Sequence, residues 1–597
     1  KRPVLPAVRD AAWVRRPLDR FVLARLEAEG ITPSPEADRV TLLRRVHLDL
    51  VGLPPPLEVI DRVAGDTRAD WYERVVDDLL ASPHFGERQG RHWLDLARYA
   101  DTDGNSGEKD RPNAWRYRDW VIDAVNRDLP FDRFTIEQLA GDLLPDAGIA
   151  ERTAAGLHRN ALSSRETCVP DDDKHVRRVY DRTIATGEIW LGLTVGCVQC
   201  HSHKYDPLTQ REFFGLYAFF DNLDDVDLPV DPPEAGSAAI ASLAERREGR
   251  RETFIHVRGD FLQRGDTVHP HTFAVLPALV PRGERPDRLD LARWLVDERH
   301  PLTARVAVNR VWLGLFGRGV VTTMNDFGTR GAPPSHPDLL DWLAVEFREG
   351  GWSRKALMRE IALSATYRQS SALRPDLAAH DPDNRLLARQ NRFRLEGEII
   401  RDLALVVAGR MNPRVGGPSF RPPVPHDAGA GVLAEWKPQS ARDEDRRGMY
   451  VVVQRTMPHP LLATLDVPDG NAACLERTRA NTPLQALATM NDPMFYGAAR
   501  AAGVRIDTLG TTVTAGIDTL MRLALSRSPT ADEHAHLTRL FDTAVAEFSD
   551  VPDLARQVAG APETAPPDEG SARVAERAAW ILLAQTVMNL DEFLTRE

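Results

Sequence analysis

Residues 196–207 read Gly196-Cys197-Val198-Gln199-Cys200-His201-Ser202-His203-Lys204-Tyr205-Asp206-Pro207. The first part, Cys197-Val198-Gln199-Cys200-His201, is C-x-x-C-H, the pattern by which a haem is attached covalently. Two thiols three residues apart reach the two vinyl groups on one edge of a porphyrin, and the adjacent imidazole then lies under the iron. About 0.001 such strings are expected by chance in a chain of this composition. Two other readings stay open here. A C-x-x-C redox pair wants a neighbouring βαβ pattern, which is not evident. Half of a zinc site wants further donors, and His201 and His203 stand close enough to supply them. On the haem reading the chain is mainly α, a multi-domain helical protein with a c-type haem and a small β-containing middle segment.

Outward from the motif, the pattern is helical on both sides. A helix over about 173–192 leads into it. The run Phe213-Phe214-Gly215-Leu216-Tyr217-Ala218-Phe219-Phe220 follows it, either as a wall for a porphyrin or as an ordinary helix core. Further upstream, Asp19-Arg20-Phe21-Val22-Leu23-Ala24-Arg25-Leu26 has apolar residues at helical spacing. Gly52-Leu53-Pro54-Pro55-Pro56 interrupts the chain. The stretch from Phe85 to Asp101 predicts one helix rich in large polar groups, and a loop over 101–114 leads to a Trp-rich helix from Trp115. Downstream, 226–250 reads as a linker or exposed helix. The best strand candidates are Thr253–Asp260 and Thr272–Pro277. Helical patterning resumes near 286, gives way to a Pro- and Gly-rich loop over 411–445, and returns over 510–595. The expected organisation is a haem-c-binding helical domain over 10–225, a linker with a small β segment over 226–285, and a helical second domain over 286–597.

Bulk composition agrees with several domains and excludes some functions. A chain of 597 residues is too long for one core. Its hydrophobic share is 42% and its charged share 27%. Mean hydropathy is −0.36. No stretch holds the roughly 20 apolar residues a membrane span needs. The net charge of −12 argues against a nucleic-acid partner, which would want a basic surface. The opening Lys1-Arg2-Pro3-Val4 is neither an initiator Met nor a signal peptide, as expected of a mature or trimmed chain. The four cysteines, Cys168, Cys197, Cys200 and Cys474, are too few for a disulfide framework. Cys168 and Cys474 could pair or stay reduced.

Other residue types gather around the motif's chemistry. His158, His175, His203, Met324, Met457 and His459 are candidates for the sixth iron position, with Met457 and His175 foremost. His203 follows His201 too closely to share its iron, and suits a substrate-facing role. His92, Asp95 and Tyr99 fall at helical spacing on one face, where His92 and Tyr99 could shuttle protons beside a haem. Arg116, His158 and Arg159 could hold haem propionates or an anionic sugar. Asp101, Asp103, Asn105 and Glu108 place oxygen donors around a Gly and suggest a calcium loop without its full pattern.

Longer motifs carry a resemblance. They are Trp13–Phe21, His92–Asp101, Leu191–Pro207, Asn309-Arg310-Val311-Trp312 with Phe316-Gly317-Arg318-Gly319, and Asn481-Thr482-Pro483-Leu484-Gln485-Ala486-Leu487. Over nearly the whole chain these resemble the planctomycete-type cytochrome c family, a cytochrome-like domain followed by a second domain of unassigned function. The resemblance implies export, to the periplasm or beyond, and one haem c at Cys197, Cys200 and His201. Members accompany sulfatases and other polysaccharide-degrading enzymes, which implies carbohydrate-related oxidation. Many carry a further small cytochrome domain ahead of the position numbered 1 here. The chain departs from its relatives over 164–175, with Ser164-Arg165-Glu166-Thr167-Cys168 and His175 where they tend to be Gly-rich and acidic.

The expected function is therefore an exported mono-haem oxidoreductase acting on saccharide-related substrates. The alternatives are an electron-transfer subunit serving a redox partner protein or small cytochrome, and a binding protein with a structural or sensory haem.

Overall fold

The structure, a computed structural model, describes residues 2–597 except 105–107, 163–168, 235–236, 247–248, 425–435, 440–442, 511 and 561–570. It is mainly helical, with short antiparallel strand pairs. The helices begin where the local chemistry says they should. Asp38 accepts from Val40 N and Thr41 N, Ser82 precedes Pro83 at the first helical position, and Thr209 with Glu212 forms a capping box. Among the described residues no helix is long and apolar enough to cross a membrane.

The helix Pro83–Leu96 organises the first region. Gly86 and Gly90 face the helix Ala114–Asn126. A Cβ on Gly86 would lie 2.4 Å from Ile122 O, so only glycine allows that approach. Arg88, Arg91 and Asp95 point instead toward residues 396–398 and 477 of the second region. The helix stops at Leu96, and Arg98 turns the chain with a positive φ of 56°. The single helix expected over 85–101 is thus shorter, and Tyr99 leaves the face that carries His92 and Asp95.

Two features differ from the sequence expectation. Residues 226–250 are not a helix or a plain linker. β1 (Leu223–Glu234) and β2 (Ser237–Glu245) form an antiparallel hairpin with Leu228 opposite Ile240. Val226, Leu228 and Val230 alternate with acidic residues and Pro229, a two-residue period. Proline is tolerated there because a two-stranded sheet consists only of edges. Conversely, β3 (Thr253–His256) pairs with β4 (Arg264–Val268), while 272–277 forms turns and coil rather than a strand. The loop 411–424 is pinned: Gly416 N donates to Tyr450 Oη at 2.8 Å, and Ser419 Oγ donates to Asp101 at 2.7 Å.

One apolar core runs without a break through residues 18–223 and 289–462, so the two helical regions share an interior. A second core joins Leu48 to residues 395–594. The chain end is drawn in beside it. β5 (Phe393–Arg394) pairs with β6 (Thr595–Arg596), and the buried Arg596 guanidinium donates to Asp49, which also accepts from Tyr367 Oη. Asp49→Ala strands a buried guanidinium and a tyrosine hydroxyl, and should cost about 3–5 kcal/mol of stability. The expected readout is a lower urea midpoint with an unchanged slope.

Candidate functional site

The motif is delivered by consecutive tight turns. The helix Asp171–Thr186 runs into a π turn, Gly187–Leu191, that closes on Gly192 at φ +62°. A Cβ on Gly192 would meet the Phe327 ring at 2.8 Å, and one on Gly187 would meet Val195 at 2.5 Å. The 3-10 turn Val195–Gln199 follows. Cys197 and Cys200 are free thiols, both exposed. His201 is exposed as well, and its Nδ1 lies 2.7 Å from the Ser202 carbonyl oxygen. A carbonyl only accepts, so Nδ1 bears a proton, and Nε2 is the nitrogen left to offer a lone pair when the ring is deprotonated. That tautomer is the one a metal-ligating imidazole needs.

The neighbouring residues brace the turn. His203 Nδ1 accepts from Asp206 N at 2.8 Å. Asp206 Oδ1 accepts from Thr329 N and Thr329 Oγ1, both at 2.7 Å, tying the motif to the second region. Lys204 and Arg330 flank the exposed Tyr205 ring at 5.2 and 4.6 Å. Behind the thiols, Gln210 Nε2 donates to Gln199 O at 3.0 Å and His256 O at 3.2 Å. Gly259, at φ +79°, sits against Cys200, where a Cβ would be 2.6 Å from Sγ.

These donors fit a c-type haem. Its attachment needs two unpaired, reachable thiols and an imidazole with a free Nε2, and all three are present. They do not fit zinc as placed. Among the described residues no set of three or more His, Cys, Asp or Glu is gathered as a metal shell, and His203 Nδ1 is already an acceptor for the backbone.

The remaining sequence candidates are dispersed. His175 is buried with Nε2 2.9 Å from Asp221, which also accepts from Thr253 Oγ1 at 2.7 Å. His158 lies 3.3 Å from Leu139 O, and burial holds it well below the usual histidine range. Arg159 donates to Asp227 at 3.0 Å and Ser242 O at 3.2 Å of the hairpin, and Arg116 stacks over Trp115. Met457 is half-buried against the main core, Met324 Sδ accepts from Asn309 at 3.1 Å, and His459 packs on Trp436. His92 Nε2 lies 2.9 Å from Glu396, in a cavity between the two regions. Tyr99 is buried and donates to Asp101 at 2.6 Å. Burial and that carboxylate push its hydroxyl well above the usual tyrosine range. His92, Tyr99 and His203 therefore do not form one site.

The calcium candidates face proton donors. Asp101 accepts from Tyr99, Ser419 and Val453 N, Asp103 accepts from Arg111, and Glu108 accepts from Thr102 and Arg455 N. Asn105 and Cys168 lie outside the described residues, and Cys474 is a half-buried free thiol.

Sequence reasoning missed the group beneath Cys200. Tyr180 Oη lies 2.5 Å from His256 Nδ1, inside a ring cluster with Phe214 and Tyr217. Burial lowers His256 to about 4 and raises Tyr180. The aromatic run 213–220 is itself buried core. Only the strand pattern at 253–256 hinted at His256, because its partner is distant in sequence.

Residues 17–225 match the PSCyt2 family model, described as a protein of unknown function (DUF1549). Residues 287–541 match the PSD1 model, a protein of unknown function (DUF1553). Both are planctomycete cytochrome c-associated domains, and neither description assigns an activity. The searches of curated proteins and of solved structures find no match.

Two outcomes are expected. Gly259→Ala places a side chain at a left-handed φ and against a thiol. It should lower stability by about 1–2 kcal/mol and change the rate at which Cys200, relative to Cys197, reacts with a thiol reagent. Burial also lowers His300, His336 and His459 to about 4, as it does His256. Between pH 6.5 and 4 the unfolded chain binds protons at these rings that the folded chain refuses. Stability should be intact above pH 6.5 and fall as pH drops toward 4, seen as a lower urea midpoint at pH 5 than at pH 7.5.

Proposed function

We propose that this chain, a PSCyt2-type region followed by a PSD1-type region, is an exported mono-haem c-type cytochrome that exchanges electrons with a partner protein at its surface. One observation carries the reading: two free, exposed thiols at C-x-x-C spacing precede an exposed imidazole whose Nδ1 is spent on a carbonyl. Cys197 and Cys200 would hold the group through thioether links, and His201 Nε2 would ligate its iron. The bound group would supply one-electron redox chemistry at iron. Thioether haem is attached outside the cytoplasmic membrane, hence export.

The chain's own residues decide how such a centre is used. Asp206 and Thr329 hold the motif against the second region and fix the direction in which the thiols face. The motif is exposed, so the edge bearing the thioethers would lie within reach of a partner. Lys204 and Arg330 beside it suit an acidic partner face, which steers encounter more than it adds affinity.

A second reading is an oxidoreductase acting on saccharide-related substrates. It draws on the cavity beside His92, where Glu396 could orient the imidazole as a base. The wide separation in role and contacts of His92, Tyr99 and His203 makes electron transfer the better-supported of the two.

The test is production of the exported protein with a haem-attachment system. Mass spectrometry should find one tetrapyrrole on the chain, and a reduced-minus-oxidised spectrum should show a c-type α band. Cys197→Ala with Cys200→Ala should lose both signals, whereas His201→Ala should keep the added mass and change the spectrum. A correctly matured native protein without tetrapyrrole would overturn the proposal. With haem present, Lys204→Glu with Arg330→Glu should slow electron exchange with an acidic redox partner several-fold at low salt and little at high salt.

A further inference from the structure

A cavity of about 140 Å³ lies between the helix Pro83–Leu96 of the first region and the helices Thr303–Phe316 and Arg354–Ala362 of the second. Its walls are largely apolar, with Phe85, Trp93, Phe131, Phe347, Met358 and Leu475 among them. Guanidinium groups also line it, and most are spoken for. Arg477 pairs with Asp95 at 2.6 Å and Glu398 at 2.7 Å, and Arg479 donates to Gly317 O at 2.8 Å. Arg310 gives its terminal nitrogens to Glu188 O and Ile189 O, and its buried Nε has no acceptor.

Arg354 is different. Its Nε and one terminal nitrogen are buried without any acceptor among the described residues, and its guanidinium faces the rings of Phe134 at 4.1 Å and Phe131 at 5.6 Å. Asp128, whose charge acts on it, is used by Ser353 Oγ and by Lys355 N at 3.1 Å. Burial lowers Arg354 only to about 10, so it stays charged at neutral pH. Asp128 offsets the charge at a distance but makes no hydrogen bond to it, and guanidinium N–H groups held inside without an acceptor are costly, so an anionic acceptor in the cavity would be favourable. The anions on the cavity wall leave room for a negative guest: Glu396 is paired with Arg88 and Arg477, and Asp95 with Arg91 and Arg477, while Glu476 is exposed.

We propose that this cavity binds a small organic carboxylate with an aryl or alkyl body. The carboxylate would pair with the Arg354 guanidinium, which presents two N–H groups to two oxygens once its sealed nitrogens turn toward the cavity. The body would lie against Trp93, Phe131 and Phe347, where water is a poor occupant. Inorganic phosphate satisfies the charge but wastes the walls, and a neutral alcohol does the reverse. The proposal is independent of any group held at Cys197 and Cys200, which do not line the cavity.

The experiment is calorimetric titration and thermal melting of the full chain with benzoate and octanoate, against benzyl alcohol and inorganic phosphate. The carboxylates should bind and raise Tm, with benzyl alcohol and phosphate at least tenfold weaker. Arg354→Met removes the stranded charge while keeping the volume. It breaks no hydrogen bond among the described residues, and its thioether can replace the contact with the Phe134 and Phe131 rings, so without ligand it should melt no lower than the parent, and its affinity for benzoate should fall at least tenfold. Arg9→Met, on the exposed surface, should bind as the parent does. Failure of both carboxylates to bind at millimolar concentration would overturn the proposal. So would equal binding of benzyl alcohol, an unchanged affinity in Arg354→Met, or a lower unliganded Tm in that variant, which would show the protein itself already satisfies the charge.

Discussion

A charge carried into a packed interior stays ionised at tolerable cost only beside its opposite, and the contact between the two helical regions is arranged by that constraint. From the helix Pro83–Leu96, Arg91 reaches Glu398 at 2.7 Å, and Asp95 receives Arg477 at 2.6 Å. One turn earlier, Glu87 receives Arg447 at 2.8 Å, which also reaches Asp402 at 2.8 Å. A slide of either region by one residue would leave several of these groups alone in a low dielectric. The apolar core around them is shared by both regions and tolerates modest repacking, but the ion pairs do not tolerate a change of register. They hold residues 474–479 in place, and with them one wall of the cavity. Against that background Arg354 stands apart, since two of its guanidinium nitrogens have no acceptor among the described residues.

Much of this was legible in the sequence where the cause is local. Ser82 before Pro83 and Thr209 before Glu212 announce helix starts, because the cap bonds are made within three residues. The C-x-x-C-H string is visible because its residues are contiguous. The family models cover the two regions that the longer motifs mark. What was not legible depends on partners far along the chain. His92 meets Glu396 and Tyr180 meets His256 only after folding. Tyr99 left its expected face because Arg98 adopts a positive φ without a glycine to signal it. The β1–β2 hairpin was hidden by Pro229, which reads as a breaker yet sits harmlessly on an edge.

The site candidates divide along the same line. Residues of the motif itself were identified from sequence and stand together in space. The residues chosen for their type alone are each held in separate networks: His175 by Asp221, Tyr99 by Asp101 and Arg159 by the hairpin. A histidine or tyrosine in a core is usually there to complete a hydrogen bond, and its chemistry is consumed by doing so. The motif is the opposite case, since its thiols and one imidazole nitrogen have no such use among the described residues.

The exposure of Cys197 and Cys200 bears on biogenesis. In a protein whose cysteines end up inside, a prosthetic group has to be joined to the nascent, unfolded polypeptide, and folding then closes over it. Here both sulfurs face outward from a finished scaffold, with Gly259 leaving clearance beside one of them. If the proposed haem is attached, a ligase could work on the completed globule, and assembly of the polypeptide and its loading would be separable events. The same openness leaves the waiting pair unprotected from oxidants, and a disulfide between them would compete with loading for as long as the sulfurs stay bare.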